Sequence, residues 1–180
     1  MVTIPFHTIM VAIDESDVSE KAFIAAKELA KALSAKLMIV HVLNPHSSRI
    51  PKPLYGYTES ESVSIDQSTH EKYEREWANF VRHYESLLKQ KADEAIASGI
   101  EADFLQSNGS PGSTLCNIAK TANTSLMVIG SHQRRGMAEI MLGSTSNYVT
   151  HHAPCSVMVV YANDVEEKTN METSEIKADV

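Results

Sequence analysis

Residues Gly130 to Tyr148 read Gly-Ser-His-Gln-Arg-Arg-Gly-Met-Ala-Glu-Ile-Met-Leu-Gly-Ser-Thr-Ser-Asn-Tyr. The run just before them, Ser125 to Ile129 (Ser-Leu-Met-Val-Ile), has the length and β-branched content of a strand covered on both faces. A strand ending at a glycine, a basic loop with Arg134 and Arg135, and Gly143-Ser144-Thr145 opening a helix make a candidate phosphate cradle. Glycine lets backbone amides approach an anion closely, and the first turn of a helix leaves N–H groups unpaired and pointing outward. Two other phosphate motifs fail on these residues. A Walker A loop needs a lysine after its second glycine, and none follows Gly136 or Gly143. A dinucleotide fingerprint needs Gly-x-Gly-x-x-Gly after the first strand, where this chain carries Asp14-Glu15-Ser16-Asp17.

The same strand pattern occurs upstream. Thr8 to Ile13 is a short apolar run, and the spacing Asp17-x-x-Glu20 predicts a capping box opening a helix whose apolar face is Ala22, Ala26, Leu29, Ala30 and Leu33. Lys36 to Leu43 predicts a second buried strand, closed by Asn44-Pro45. Residues 44 to 69 then break the rhythm: three prolines, many serines and no sustained periodicity predict a long loop insertion, read either as a partial lid or as a surface excursion. From Gln67 to Ser98, Tyr73, Trp77, Val81, Tyr84, Leu88, Ala92 and Ala95 recur at helical steps, with Gly99 as the stop. That aromatic stripe is read as core packing rather than a ligand cage.

Ile100 to Gln106 predicts the third strand. Ser110 as cap and Pro111 in the first turn predict a third helix facing inward through Leu115, Ile118, Ala119 and Ala122. A fourth helix runs from Ser144 to His151, short of Pro154, and Ser156 to Tyr161 predicts a last strand. Residues 162 to 180 hold six acidic and two basic residues, net 2 − 6 = −4, and are expected to form a disordered acidic tail. Strands joined by single helices give a parallel sheet with right-handed connections.

Length and charge bound the function. The 180 residues suit one core, so residues 1 to 161 are read as a single domain. A net charge of −7 disfavours nucleic acid and anionic membranes as partners, since both need a positive surface. No apolar run reaches the ~18 residues of a membrane span. Cys116 and Cys155 lack CxxC spacing and are read as small buried hydrophobes of a cytoplasmic chain. The eight histidines show no metal-ligand spacing, and no serine, cysteine or lysine comes with a recognisable base, so neither a protein metal site nor a dedicated nucleophile is expected.

The glycine stretch resembles the signature of the universal stress protein family, Gly-x2-Gly-x9-Gly-Ser/Thr. Gly130 and Gly143-Ser144 match it, and His-His-Ala-Pro-Cys-Ser-Val-Met-Val-Val (151 to 160) is similar to the family's closing segment. The second glycine of the pattern is here Gln133. The resemblance implies an α/β fold, a single-domain open five-stranded parallel sheet of order 3-2-1-4-5 with helices on both faces, Rossmann-like and of the adenine nucleotide alpha hydrolase-like type. It implies a stress-response protein that binds ATP, ADP or AMP without a catalytic role, any Mg²⁺ being held through the phosphates. It also implies a homodimer through Val157, Met158, Val159 and Val160 of the last strand.

Carried onto this chain, the resemblance gives each site residue a role. Ala12, Ile13, Val42 and Ile129 form the apolar pocket for the base, and Asp14 sits near adenine or ribose. Gly130 and Gly143 give backbone access, Ser144 and Thr145 donate to phosphate oxygens, Arg134 and Arg135 neutralise the outer phosphates, and Ser131 and His132 line the pocket. If the family's glycine at position 133 has positive φ, Gln133 costs on the order of 1–2 kcal/mol in strain. That would weaken nucleotide binding roughly tenfold. Two further readings stay open: a dimeric scaffold without nucleotide, favoured by Gln133, and, behind it, slow ATP hydrolysis. Plainer roles also exist for these residues, helix capping for Asp14 to Asp17 and Gly143-Ser144, and a solvated turn for Arg134 and Arg135.

Overall fold

The computed structural model describes residues 6–45, 47, 51, 67–131 and 142–161. Strand and helix alternate through them: β1 (Thr8–Ala12), α1 (Asp17–Leu33), β2 (Lys36–Leu43), α2 (Gln67–Ala97), β3 (Ala102–Asn108), α3 (Pro111–Thr121), β4 (Leu126–Ser131), α4 (Ser144–His152) and β5 (Ser156–Tyr161). All the strands are parallel and their order is β3-β2-β1-β4-β5, as the resemblance implies. β1 lies at the centre, with Ala12 beside Val40 on one flank and Ile129 on the other.

Alternation along the strands divides the core in two. Ile9, Val11, Leu37, Ile39 and Val128 face α1 and α2, packing on Phe23, Ala26, Leu88, Ala92 and Ala95. Met10, Val40, Met127 and Ile129 face α3 and α4, packing on Leu115, Ala119 and Val149. Small residues let the helices lie close to the sheet. At Gly112 in α3 an added Cβ would stand 2.7 Å from the Tyr148 ring of α4, so glycine is what lets these two helices meet.

Helix ends follow local chemistry, with differences from the pattern reading. The cap of α1 is Ser16, not Asp17: its Oγ accepts from the Ser19 amide at 3.2 Å, while Asp17 and Glu20 occupy the first turn, where carboxylates suit the helix dipole. Ser110 precedes α3 without a side-chain cap, and Pro111 starts that helix. Gly99, at φ +83°, ends α2, and the Ile100 amide then reaches back to the Ala95 carbonyl. The apolar stripe of α2 is only partly core. Tyr84, Leu88, Ala92 and Ala95 are buried, whereas Tyr73, Trp77 and Val81 are half-buried. Most of 44–69 and all of 162–180 lie outside the described residues.

Candidate functional site

From neighbouring strands, α1 leaves β1 towards one face of the sheet and α4 follows β4 on the other. That reversal opens a cleft beyond the carboxyl ends of the strands. Its volume is about 350 Å³, within the roughly 300–1,000 Å³ of small-molecule sites.

One end of the cleft is the start of α4. Gly143, Ser144, Thr145 and Ser146 line it, and the first amides of a helix have no intrahelical partners. Gly143 has an ordinary φ of −61°, and the nearest atom to an added Cβ would be Ser146 Oγ at 3.7 Å. The described residues around it therefore do not themselves require a glycine. Ser131 is buried behind this wall and is not among the lining residues; its Oγ accepts from Ser146 Oγ at 3.3 Å, tying α4 to β4.

The floor is the β1–α1 turn. Asp14 is clamped there by Ser19, whose Oγ accepts from the Asp14 amide at 2.9 Å and donates to the Asp14 carbonyl at 2.8 Å. The carboxylate of Asp14 accepts from the Ser16 amide and hydroxyl, so the cap of α1 also orients the acid on the cleft floor. Gly130 lines the same floor for a packing reason: an added Cβ would stand 2.9 Å from the Val18 carbonyl oxygen of α1.

The far end belongs to β2 and α2. Val40, His41 and Val42 line it together with Phe80 and Tyr84. The His41 ring stacks on Tyr84, centroids 3.9 Å apart and 3° from parallel, and Phe80 meets Tyr84 edge-on at 5.1 Å. His41 Nδ1 lies 2.7 Å from the Ile13 carbonyl. Burial holds this ring below the ordinary histidine range, against weaker upward pulls from the Ile13 carbonyl, Asp14 and Glu15. Glu15 accepts from Tyr84 Oη at 3.1 Å and lies 2.6 Å from His83 Nε2, fastening α2 to the turn that carries Asp14.

Ala12, Ile13, Asp14, Val42, Ile129, Gly130, Gly143, Ser144 and Thr145 thus meet on one cleft, although Asp14 and Gly143 are far apart in the chain. His132, Gln133, Arg134 and Arg135 lie outside the described residues. Pattern reading did not pick His41, Phe80 and Tyr84 for the site. A histidine within an apolar run and aromatics at helical steps carry the same signal whether they pack or line a cavity. Among the described residues no group of three His, Cys, Asp or Glu side chains could hold a metal ion.

An open, doubly wound parallel sheet with its cleft at the reversal point defines a class of ligand-binding α/β protein, and comparison with known proteins narrows it. Residues 5–161 match the model of the universal stress protein family, and the chain belongs to that family. Universal stress protein YxiE of Bacillus subtilis is 34% identical over 155 residues, covering 86% of this chain and 99% of its own. Universal stress protein UspA from Lactobacillus plantarum superposes with a TM-score of 0.63 at 24% identity, over 86% of this chain and 97% of that one. A universal stress protein family protein from Arabidopsis thaliana, solved with AMP bound, superposes with a TM-score of 0.55 at 19% identity, over 88% and 94%.

Proposed function

We propose that this chain is a stress-response protein that binds an adenine nucleotide in the β1/β4 cleft and acts as a regulatory or protective module rather than an enzyme. The observation that carries the reading is convergence: the bare start of α4, the braced Asp14 and the apolar residues Ile13, Val42 and Ile129 line one cavity of about 350 Å³. Phosphate would lie on the amides of Ser144 and Thr145, ribose beside Asp14, and the base over β2. The AMP held by the Arabidopsis relative fits this size class. Arg134 and Arg135 would meet the outer phosphates of ADP or ATP, with His132 and Gln133 beside them. Asp14 is the one acid lining the described cavity wall, so Mg²⁺ would ride on the phosphates.

Binding without catalysis fits the groups available. Asp14 is spent on bracing the start of α1 through Ser16, and among the described residues no hydroxyl or thiol is hydrogen-bonded to His41. β5 pairs with β4 alone among the described strands, and its Val157 to Val160 edge would pair with a second copy. The free thiols of Cys116 and Cys155 suit a reducing cytoplasm. One observation favours the scaffold alternative: the glycine at 130 is explained by Val18 alone, so its presence does not argue for a ligand.

Calorimetry with AMP, ADP and ATP on refolded, nucleotide-free protein tests the reading. Thr145→Glu sets a carboxylate at the start of α4 and should weaken binding at least tenfold through like-charge repulsion. No heat with any of the three would leave the scaffold.

A further inference from the structure

We propose that His41 reads the base of the bound nucleotide, its Nε2 lone pair accepting a hydrogen bond from the 6-amino group of adenine. The inference rests on the adenine-nucleotide reading of the cleft and assigns within it a residue that selects the base. Its first support is the tautomer. Nδ1 lies 2.7 Å from the Ile13 carbonyl oxygen, and a carbonyl can only accept, so the ring proton resides on Nδ1. In the neutral ring Nε2 is then an acceptor.

The second support is an unmet acceptor. His41 is 8% exposed and lines the cleft, yet among the described residues its ring is engaged only through Nδ1 and through the stack with Tyr84. A polar atom on a nearly closed apolar wall calls for a partner.

Placement names the donor. The start of α4 flanks β4 on one side of the central β1, and His41 stands on β2 at the other side. A nucleotide whose phosphate lies on the α4 amides therefore carries its base to the His41 end, where the apolar Val42 and the Phe80 ring also lie. Adenine presents an amino donor at C6, whereas hypoxanthine and guanine present a carbonyl oxygen that would oppose the Nε2 lone pair.

The test compares AMP, IMP, purine riboside 5′-monophosphate and 2′-dAMP by calorimetry at pH 7.5, on the wild type and on His41→Asn. The asparagine amide can still donate to the Ile13 carbonyl, and it lacks the acceptor at the Nε2 position. Wild type should prefer AMP to both IMP and the purine riboside, and His41→Asn should lower AMP affinity roughly tenfold while leaving the purine riboside unchanged, so the preference disappears. Equal losses for AMP and the purine riboside, or no loss, would overturn the inference. So would sensitivity that follows the 2′-hydroxyl of AMP against dAMP, since the donor would then be ribose. Wild type that binds all four alike keeps the cleft and removes His41 as its reader; wild type that binds none removes both.

Discussion

His41 stands near the carboxyl end of β2, lying flat on Tyr84 and hydrogen-bonded to the Ile13 carbonyl. Its placement couples stability to pH. Unfolded, the ring titrates at its ordinary value of 6.5, and burial lowers that value in the folded chain. As pH falls through 6.5 the unfolded state takes up this proton first, so the contribution of His41, complete above 6.5, is lost towards the lowered folded value. Urea unfolding should give lower stability at pH 5.5 than at 7.5, and His41→Asn should reduce that difference; the same difference in both proteins would refute the assignment. Gly130 makes a separate prediction. A methyl group 2.9 Å from the Val18 oxygen meets backbone that cannot swing aside. Gly130→Ala should therefore cost about 1–3 kcal/mol in urea unfolding without nucleotide, and an unchanged midpoint would return this glycine to a purely ligand-binding role. Gly143, Ser144 and the adjoining Thr145 are legible from the family spacing, and Asp14 from its place at the carboxyl end of the first strand. Ser19, which clamps Asp14 at both ends of its backbone, was not, because its bonds exist only once α1 begins at Asp17.

β1, β2 and β4 are legible as apolar runs, since a strand covered on both faces leaves no polar alternation to confuse, whereas β3 is legible from its alternation. β2 and β5 begin and end where the runs do, while β3 is shifted, from the expected Ile100–Gln106 to Ala102–Asn108. Ile100 is instead used to close α2 against the Ala95 carbonyl. In α2 the helical period could not show where the core stops. The stripe continues past the buried Tyr84 to Phe80 and Trp77, and there the helix becomes cleft wall and half-exposed surface. β5 carries its own prediction. Met158 is 38% exposed on this edge strand, and an apolar strand paired on one side is a template for a second copy. Light scattering should give the mass of two 19.8 kDa chains, and Met158→Asp should give one. A monomeric wild type would contradict the dimer.

At the scale of the whole molecule, the cleft lies where two winding directions part. α1 and α4 leave adjacent strands for opposite faces, and the gap between their first turns is the cleft. The order 3-2-1-4-5 was legible through the family resemblance, whereas apolar runs alone allow several parallel orders. On the proposed reading, the start of α4, the Asp14 turn and the His41 wall all face one adenosine phosphate. Amide NMR during titration with AMP tests this most directly. The account predicts saturable shifts gathered at Asp14, Val42 and Ser144 to Ser146, with the far ends of the strands, near Thr8 and Leu126, unmoved. Shifts confined to other surfaces, or none at saturating AMP, would contradict it.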